Sequence, residues 1–339
     1  MGAPDHDDHD DHHHDHDDDH DDGHSHDHGS GGPGDDASDH GHRHPHAPAD
    51  PSGRPRIGFV GAGRVGTALA VAFDRAGWPV IAVASRDPSR RARLTELVPS
   101  AQPAASPTAL SAVADLVFVT VPDDALGDVA AELRLYAGQA VVHTSGAVGS
   151  EVLGPAQAAG TQAGSFHPLV AFADLEGALA ALPGSTIALE GDEALIELLG
   201  TLATDIGAQP VRLPPAGKPA YHAAAVLAAG GFVGLLDGIA TVARGAGLDE
   251  AGALAIYAPL IRQSLDNSER GGISHALTGP FVRGDTATVA AHVAALERNA
   301  PDVLDLYLAV ARRELRIAVD RGELDDSAAE ALRRLLHER

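Results

Sequence analysis

Ile57-Gly58-Phe59-Val60-Gly61-Ala62-Gly63-Arg64-Val65-Gly66 is the stretch that decides the fold. Its first four residues predict a buried strand. Val65, Leu69, Ala72, Phe73 and Ala76 then recur at helical spacing until Gly77 stops the helix. A strand that feeds a helix through Gly-x-Gly-x-x-Gly is the opening unit of a dinucleotide-binding sheet. Gly61 permits the tight turn, Gly63 lets the backbone approach a pyrophosphate, and Gly66 lets helix and strand pack closely. The first helical residues, Arg64 and Val65, offer unpaired N–H groups to the anion.

Outward from this unit, residues 80–84, 116–121, 140–143 and 164–166 read as strands, with a helix over 89–98. The run 116–121 is apolar without alternation, as in a parallel strand covered on both faces. Residues 186–189 and 209–213 extend the sheet. Strands alternating with helices predict an α/β fold, a Rossmann doubly wound parallel sheet. After Pro215 only helices are legible, over 220–246, 250–267, 285–299, 301–319 and 327–337. The expected organisation is a Rossmann domain over 54–214, followed by an all-helical domain over 215–339 that serves substrate binding and dimerisation. Residues 1–53, built of His, Asp and Gly, have too few apolar groups to offset their ordering entropy and are expected to form a disordered tail.

Charge is uneven along the 339 residues. The first 50 hold 16 Asp and one Arg, so that of the chain's net −24 only −9 falls on the rest. A mildly acidic body argues against a nucleic-acid surface. The absence of cysteine excludes disulfides and thiolate metal sites. The N-terminus has neither a basic start nor an apolar core, so no signal peptide is expected. The most apolar stretch, residues 223–236, is too short to span a membrane and reads as a buried helix. The expected location is the cytoplasm. The tail holds 14 of the 20 histidines, and His12, His13, His14 and His16 are candidate ligands for weak divalent-metal binding. No metal is expected in the folded body.

The second strand ends in Ser85-Arg86, where an enzyme that uses NAD usually has an acid for the ribose hydroxyls. A guanidinium there can grip a 2′-phosphate. NADP is therefore the expected cofactor, with NAD the lesser alternative. Val121-Pro122, His143-Thr144-Ser145-Gly146 and Phe166-His167-Pro168 close successive strands at the carboxyl edge, where ligands bind in such sheets. Ser145, Gly146 and His167 are the substrate-binding candidates among them. Lys218 is the single lysine beside 23 arginines. A site that keeps Lys where Arg otherwise serves can need a compact amine whose pKa falls, as proton delivery to a carbonyl requires. Tyr221 and His222, at i+3 and i+4, share its helix face. The loop Leu277-Thr278-Gly279-Pro280-Phe281-Val282-Arg283-Gly284-Asp285 can present Thr278 and Arg283 to a substrate anion, or cap a helix with Asp285.

The runs Lys218-Pro219-Ala220-Tyr221-His222, 277–285, His143-Thr144-Ser145-Gly146 and Phe166-His167-Pro168 together resemble Rossmann-like proteins with a C-terminal domain of unknown function 2520. The resemblance covers residues 55 to 337. That family is similar to the 6-phosphogluconate and 3-hydroxyisobutyrate dehydrogenases, ketopantoate reductase and pyrroline-5-carboxylate reductase. In the hydroxyacid members a catalytic Lys opens the long helix after the sheet, with Asn four residues on. Lys218 matches the Lys, and His222 stands in the place of the Asn. Gly230-Gly231 occupies a region where family members often carry Asn. The resemblance implies a homodimer joined through the helical domain. The leading expectation is an NADP-dependent oxidoreductase that reduces a small, ketopantoate-like oxo acid, with Lys218 as proton donor assisted by His222. The alternatives are an imine reductase of the pyrroline-5-carboxylate type and a non-catalytic NADP-binding regulatory protein.

Overall fold

A computed structural model describes residues 53–158 and 160–337. The expectations of a disordered tail and of metal ligands at His12, His13, His14 and His16 lie outside the described residues.

One eight-stranded sheet organises the first part of the chain, in the order β3-β2-β1-β4-β5-β6-β7-β8. Its strands are β1 (Ile57–Val60), β2 (Val80–Ala84), β3 (Gln102–Pro103), β4 (Leu116–Val119), β5 (Ala140–His143), β6 (Gln162–Pro168), β7 (Thr186–Gly191) and β8 (Gln209–Arg212). All neighbours are parallel except β6 and β7, which run antiparallel. The doubly wound parallel reading therefore holds for β1 to β6, while β7 and β8 run in the opposite direction, which the sequence did not reveal. Helices α1 (Arg64–Arg75), α2 (Pro88–Leu97), α3 (Pro107–Ser111), α4 (Leu126–Glu132), α5 (Leu175–Ala181) and α6 (Glu193–Asp205) connect the strands.

Burial explains why these segments are strands. Every residue of β1, β4 and β5 is buried, which only a sheet covered on both faces allows. Phe59, Phe73, Phe118 and Phe166 pack as one aromatic cluster, with Phe59 and Phe118 stacked at 5.2 Å and Phe166 edge-on to Phe118 at 5.5 Å. Each such ring contributes about 1.5–3 kcal/mol by leaving water. The cluster fixes α1 against the sheet, and so fixes the Gly61–Gly66 turn between them.

The chain after β8 is helical. Its helices are α7 (Lys218–Val226), α8 (Phe232–Arg244), α9 (Glu250–Gly271), α10 (Ile273–Ala276), α11 (Pro280–Arg283), α12 (Thr286–Asn299), α13 (Leu304–Asp320) and α14 (Asp326–His337). A π-helical turn over Leu227–Gly231 joins α7 to α8, so Lys218–Arg244 forms one long helix. That helix is long and apolar enough to cross a membrane by length and composition. The expectation that residues 223–236 are buried is corrected here: within one chain Leu227 is 71% exposed and Val233 63%. The helix is buried at Lys218 in its first turn and at Gly238, Ala240 and Ala243 in its later turns. Around it, Phe281, Val289, Val293, Leu308, Leu315 and Leu332 make a second core among α11, α12, α13 and α14.

Candidate functional site

The glycine turn stands where the sequence put it. Gly61 has φ +109°, a left-handed conformation suited to glycine, and a β-carbon there would fall 2.7 Å from the Thr120 carbonyl. A β-carbon on Gly66 would collide with Thr120 Oγ1 and the Gly61 carbonyl. Gly63, by contrast, has only the Thr120 carbonyl at 4.0 Å, so its side stays open to a ligand. Thr120 Oγ1 donates to Gly61 O at 2.8 Å and locks the turn from the end of β4. The sequence reading missed this residue. The first helical bond runs from Thr67 N to Gly63 O at 2.9 Å, which leaves the preceding amides of Arg64, Val65 and Gly66 without helical partners.

At the end of β2 the polar groups are sorted by their neighbours. Asp87 Oδ1 accepts from Ser89 N and Arg90 N and caps α2, while its Oδ2 pairs with Arg90 Nε at 3.1 Å. Arg91 donates to the Ser85 carbonyl at 2.9 Å. The acid is thus spent on its own helix. Arg86 is left exposed, with no ion pair among the described residues. Val121 is half-buried and Pro122 exposed at the same carboxyl edge.

The crevice forms where β5, β6 and α7 meet. His143 is fully buried and satisfied on both sides: Nδ1 accepts from Ser145 N at 3.1 Å and Nε2 donates to Gly149 O at 3.1 Å. Burial, helped by the Lys218 charge, pulls its pKa down to about 4. Ser145 Oγ accepts from Ala147 N and Val148 N and so shapes the turn in front of Gly146. His167 Nδ1 donates to Thr144 O at 3.0 Å, which leaves Nε2 as a lone pair. Burial lowers the His167 pKa and so favours the neutral ring. Tyr221 and His222 stack edge-on against it, with ring centroids 6.1 and 5.8 Å away. Tyr221 OH and His222 Nδ1 are both buried without a hydrogen-bond partner among the described residues. Burial raises the Tyr221 pKa and keeps its proton in place. Gly146 lies beneath these rings, and a β-carbon there would fall 2.6 Å from His167 Nε2.

Lys218 points elsewhere. Its Nζ donates to Ser165 Oγ at 2.8 Å and to Glu190 Oε2 at 3.0 Å, with 3% of the lysine side chain exposed. Burial lowers its pKa, and Glu190 works against that. Burial pushes the Glu190 carboxyl up, but hydrogen bonds from Ser150 and the Lys218 charge hold it below the usual carboxylate range. Glu190 was not singled out in the sequence.

The 277–285 loop caps α12, as one of its two readings expected: Asp285 Oδ1 accepts from Thr288 N at 3.0 Å. Thr278 and Arg283 are exposed, and among the described residues no hydrogen bond or ion pair ties either to the crevice. Nor do three His, Asp or Glu side chains gather as a metal site among the described residues.

Residues 45–168 match a Rossmann-like domain, and residues 185–314 match a Domain of unknown function (DUF2520). The chain joins a Rossmann-like domain to a domain of unknown function 2520. No curated protein matches it in sequence. Among solved structures, protein TM1727 from Thermotoga maritima is 28% identical, with a TM-score of 0.60 over 78% of this chain and 99% of its own. A Bacteroides fragilis protein assigned as an NADP oxidoreductase is 20% identical, with a TM-score of 0.65 over 78% and 98%. The 1-pyrroline-5-carboxylate reductase of Streptococcus pyogenes is 17% identical, with a TM-score of 0.57 over 80% and 98%. These last two likenesses are of fold.

Proposed function

We propose that the chain is an NADP-dependent reductase of a carbon–nitrogen double bond in a small substrate. The Gly61–Gly66 turn and the free amides of α1 suit a pyrophosphate, and the unengaged Arg86 suits a 2′-phosphate. The nicotinamide, when bound, supplies a hydride. The observation that carries the substrate reading is the state of His167. Its Nδ1 proton is committed to Thr144 O, so Nε2 can only accept while the ring is neutral. A protonated imine brings its own N–H to such an acceptor and needs no proton delivered from the protein. Tyr221 OH, held protonated by burial, can orient a second polar group of the substrate. The solved 1-pyrroline-5-carboxylate reductase and an imine reductase of Pseudomonas share the fold, which is consistent with this reading.

The runner-up is reduction of a small, ketopantoate-like oxo acid with Lys218 as proton donor and His222 assisting. The specific observation in its favour is that burial lowers the Lys218 pKa. An NADPH-oxidation screen over cyclic imines and small oxo acids, run on wild type and Lys218→Arg, separates the two. Imine turnover that survives Lys218→Arg supports the first. Oxo-acid turnover that falls roughly 10²–10⁴-fold, the usual contribution of a general acid, supports the second. NADPH binding without turnover of either class would return the chain to the regulatory reading.

In the same proposal the sheet domain, 54–214, holds the cofactor and the helices of 215–339 cover the substrate and join a second copy. Val226, Leu227, Val233, Ile256, Leu260 and Leu265 leave an apolar face exposed on α7 through α9. An apolar cleft of about 600 Å³ between α8, α9, α12 and α13 continues it. The setting we assign is the cytoplasm.

A further inference from the structure

We propose that Glu190 is a positioning residue for the crevice. Acting through Lys218, its carboxylate sets where the first turn of α7 lies, and so where Tyr221 and His222 stand over Gly146. The inference goes beyond the reductase reading and does not depend on which double bond is reduced.

The placement comes from the reversed strand. Pairing aligns His143 with Ser165 and Ser165 with Glu190, so three adjacent strands carry one polar row, level with the carboxyl end of β5 and the middle of β6. Glu190 is 5% exposed, and an isolated carboxylate so deep would be expelled or protonated. It is held instead by donors from three segments. Ser150 gives Oε1 both its backbone N–H, at 3.0 Å, and its hydroxyl, at 2.8 Å. Oε2 takes Lys218 Nζ from α7 and stands 3.5 Å from Ser165 Oγ on β6.

Little else fixes α7. Among the described residues, Lys218 makes the only side-chain hydrogen bonds from Lys218–Val226. Tyr221 OH and His222 Nδ1 make none, and the helix beyond them is largely exposed until Gly238. Tyr221 and His222 follow Lys218 by three and four residues and therefore project from the same face, about one 5.4 Å turn further on. Where the Lys218 ammonium docks is where that face docks. A lysine suits the task because a compact ammonium fits between one hydroxyl and one carboxylate oxygen, whereas a planar guanidinium asks for a wider partner set. This gives a reason for the single lysine that differs from proton donation.

Because Lys218 is the only lysine, protein grown with ¹⁵N,¹³C-lysine shows one side-chain Nζ signal, and the test needs no substrate. In wild type that signal should report an ammonium between pH 6 and 9. Glu190→Gln can keep both bonds from Ser150 while removing the charge. The lysine should then lose its proton in this range, because burial is left without the carboxylate that opposes it. The ring signals of His167 and His222 should shift with it, and NADPH affinity should stay within about twofold. Glu190→Asp should restore the ammonium signal. A folded Glu190→Gln protein with a charged lysine at pH 9 and unmoved histidine signals overturns the proposal. Should Glu190→Gln not fold, Ser150→Ala decides: it removes the Ser150 hydroxyl's bond to Oε1 and leaves the ion pair itself, so the histidine signals should move, and their constancy overturns it. A substrate screen that fails sinks the reductase reading and leaves these signals as they are.

Discussion

His167 and His222 meet across Gly146, their rings 5.8 Å apart at 72°, and each turns toward its α-carbon a nitrogen with no hydrogen-bond partner among the described residues. The crevice floor therefore has room for a hydrogen and nothing larger. Gly146→Ala should push the two rings apart and displace whatever they hold. Displacements of about 1 Å in a reacting geometry cost on the order of 10² in rate. Turnover should fall by that order while NADPH affinity, set at the Gly61–Gly66 turn and Arg86, is unchanged. An alanine variant with wild-type turnover would show that the substrate does not sit over Gly146.

Arg86 should decide the cofactor. Asp87 is engaged by α2 and by Arg90, so no acid competes for a ribose hydroxyl, and the guanidinium is unpaired among the described residues. A charge-assisted contact to a 2′-phosphate contributes roughly 1.5–3 kcal/mol, which corresponds to a ten- to hundredfold preference for NADPH over NADH. Arg86→Ala should erase that preference and leave NADH affinity within about twofold. Titration of both nucleotides against both proteins checks it; equal affinities in wild type remove the NADP assignment.

The sheet was legible because its strands are of the kind that sequence marks most clearly. Leu116–Val119 and Ala140–His143 are buried on both faces, so they appear as bare apolar runs. The glycine turn was legible because its chemistry is local. The reversal of β7 was not, since Thr186–Gly191 is equally apolar in either direction. With it went Glu190, whose role depends on register with Ser165, a property of pairing rather than of any short stretch. An acid closing an apolar strand is a signal that could have found it, because carboxylates are rarely buried without a partner. Thr120 escaped for the same reason: its hydroxyl locks Gly61 across 59 residues of sequence. Lys218 stood out as the single lysine and by its match to the catalytic Lys that the resemblance implies, but neither could show that its ammonium faces Ser165 and Glu190.

Stability should fall on mild acidification, and His143 sets the window. Its pKa is about 4 in the fold against 6.5 as the ordinary value, so the unfolded chain binds the proton more tightly. The stabilisation from this group is complete above pH 6.5 and is lost progressively down to pH 4, where the loss reaches about 3 kcal/mol. His167, also lowered by burial, acts in the same direction. Glu190, held below the ordinary carboxylate value, adds a loss that begins only as pH falls below about 4.5. Urea unfolding between pH 4.5 and 8 should show this slope in wild type and a shallower one in His143→Gln, whatever the variant's absolute stability. Identical slopes would mean that the buried imidazole does not control the acid limb.

The exposed helix should be covered by a second copy. Leu227 is 71% exposed and Val233 63%, and Ile256 and Leu260 on α9 are 53% and 57% exposed. A soluble surface rarely leaves so many large apolar groups together, and at about 25 cal/mol per Å² their removal from water favours association. Covering this face with the same face of a second copy requires only a two-fold axis, and stable interfaces of this kind bury about 1,600 Å² in total. A membrane is the other apolar environment that the length of Lys218–Arg244 would suit. Against it stands the anchoring of the helix at both ends, by Lys218 on Glu190 and by Gly238, Ala240 and Ala243 within the helical core. Light scattering at micromolar concentration should therefore give a detergent-free dimer. The double change Leu227→Glu, Val233→Glu places four charges, two per chain, in that interface and should yield a folded monomer that still binds NADPH within about twofold. A wild-type monomer, or a wild type that needs detergent to remain dispersed, would refute the second copy as the occupant of this face.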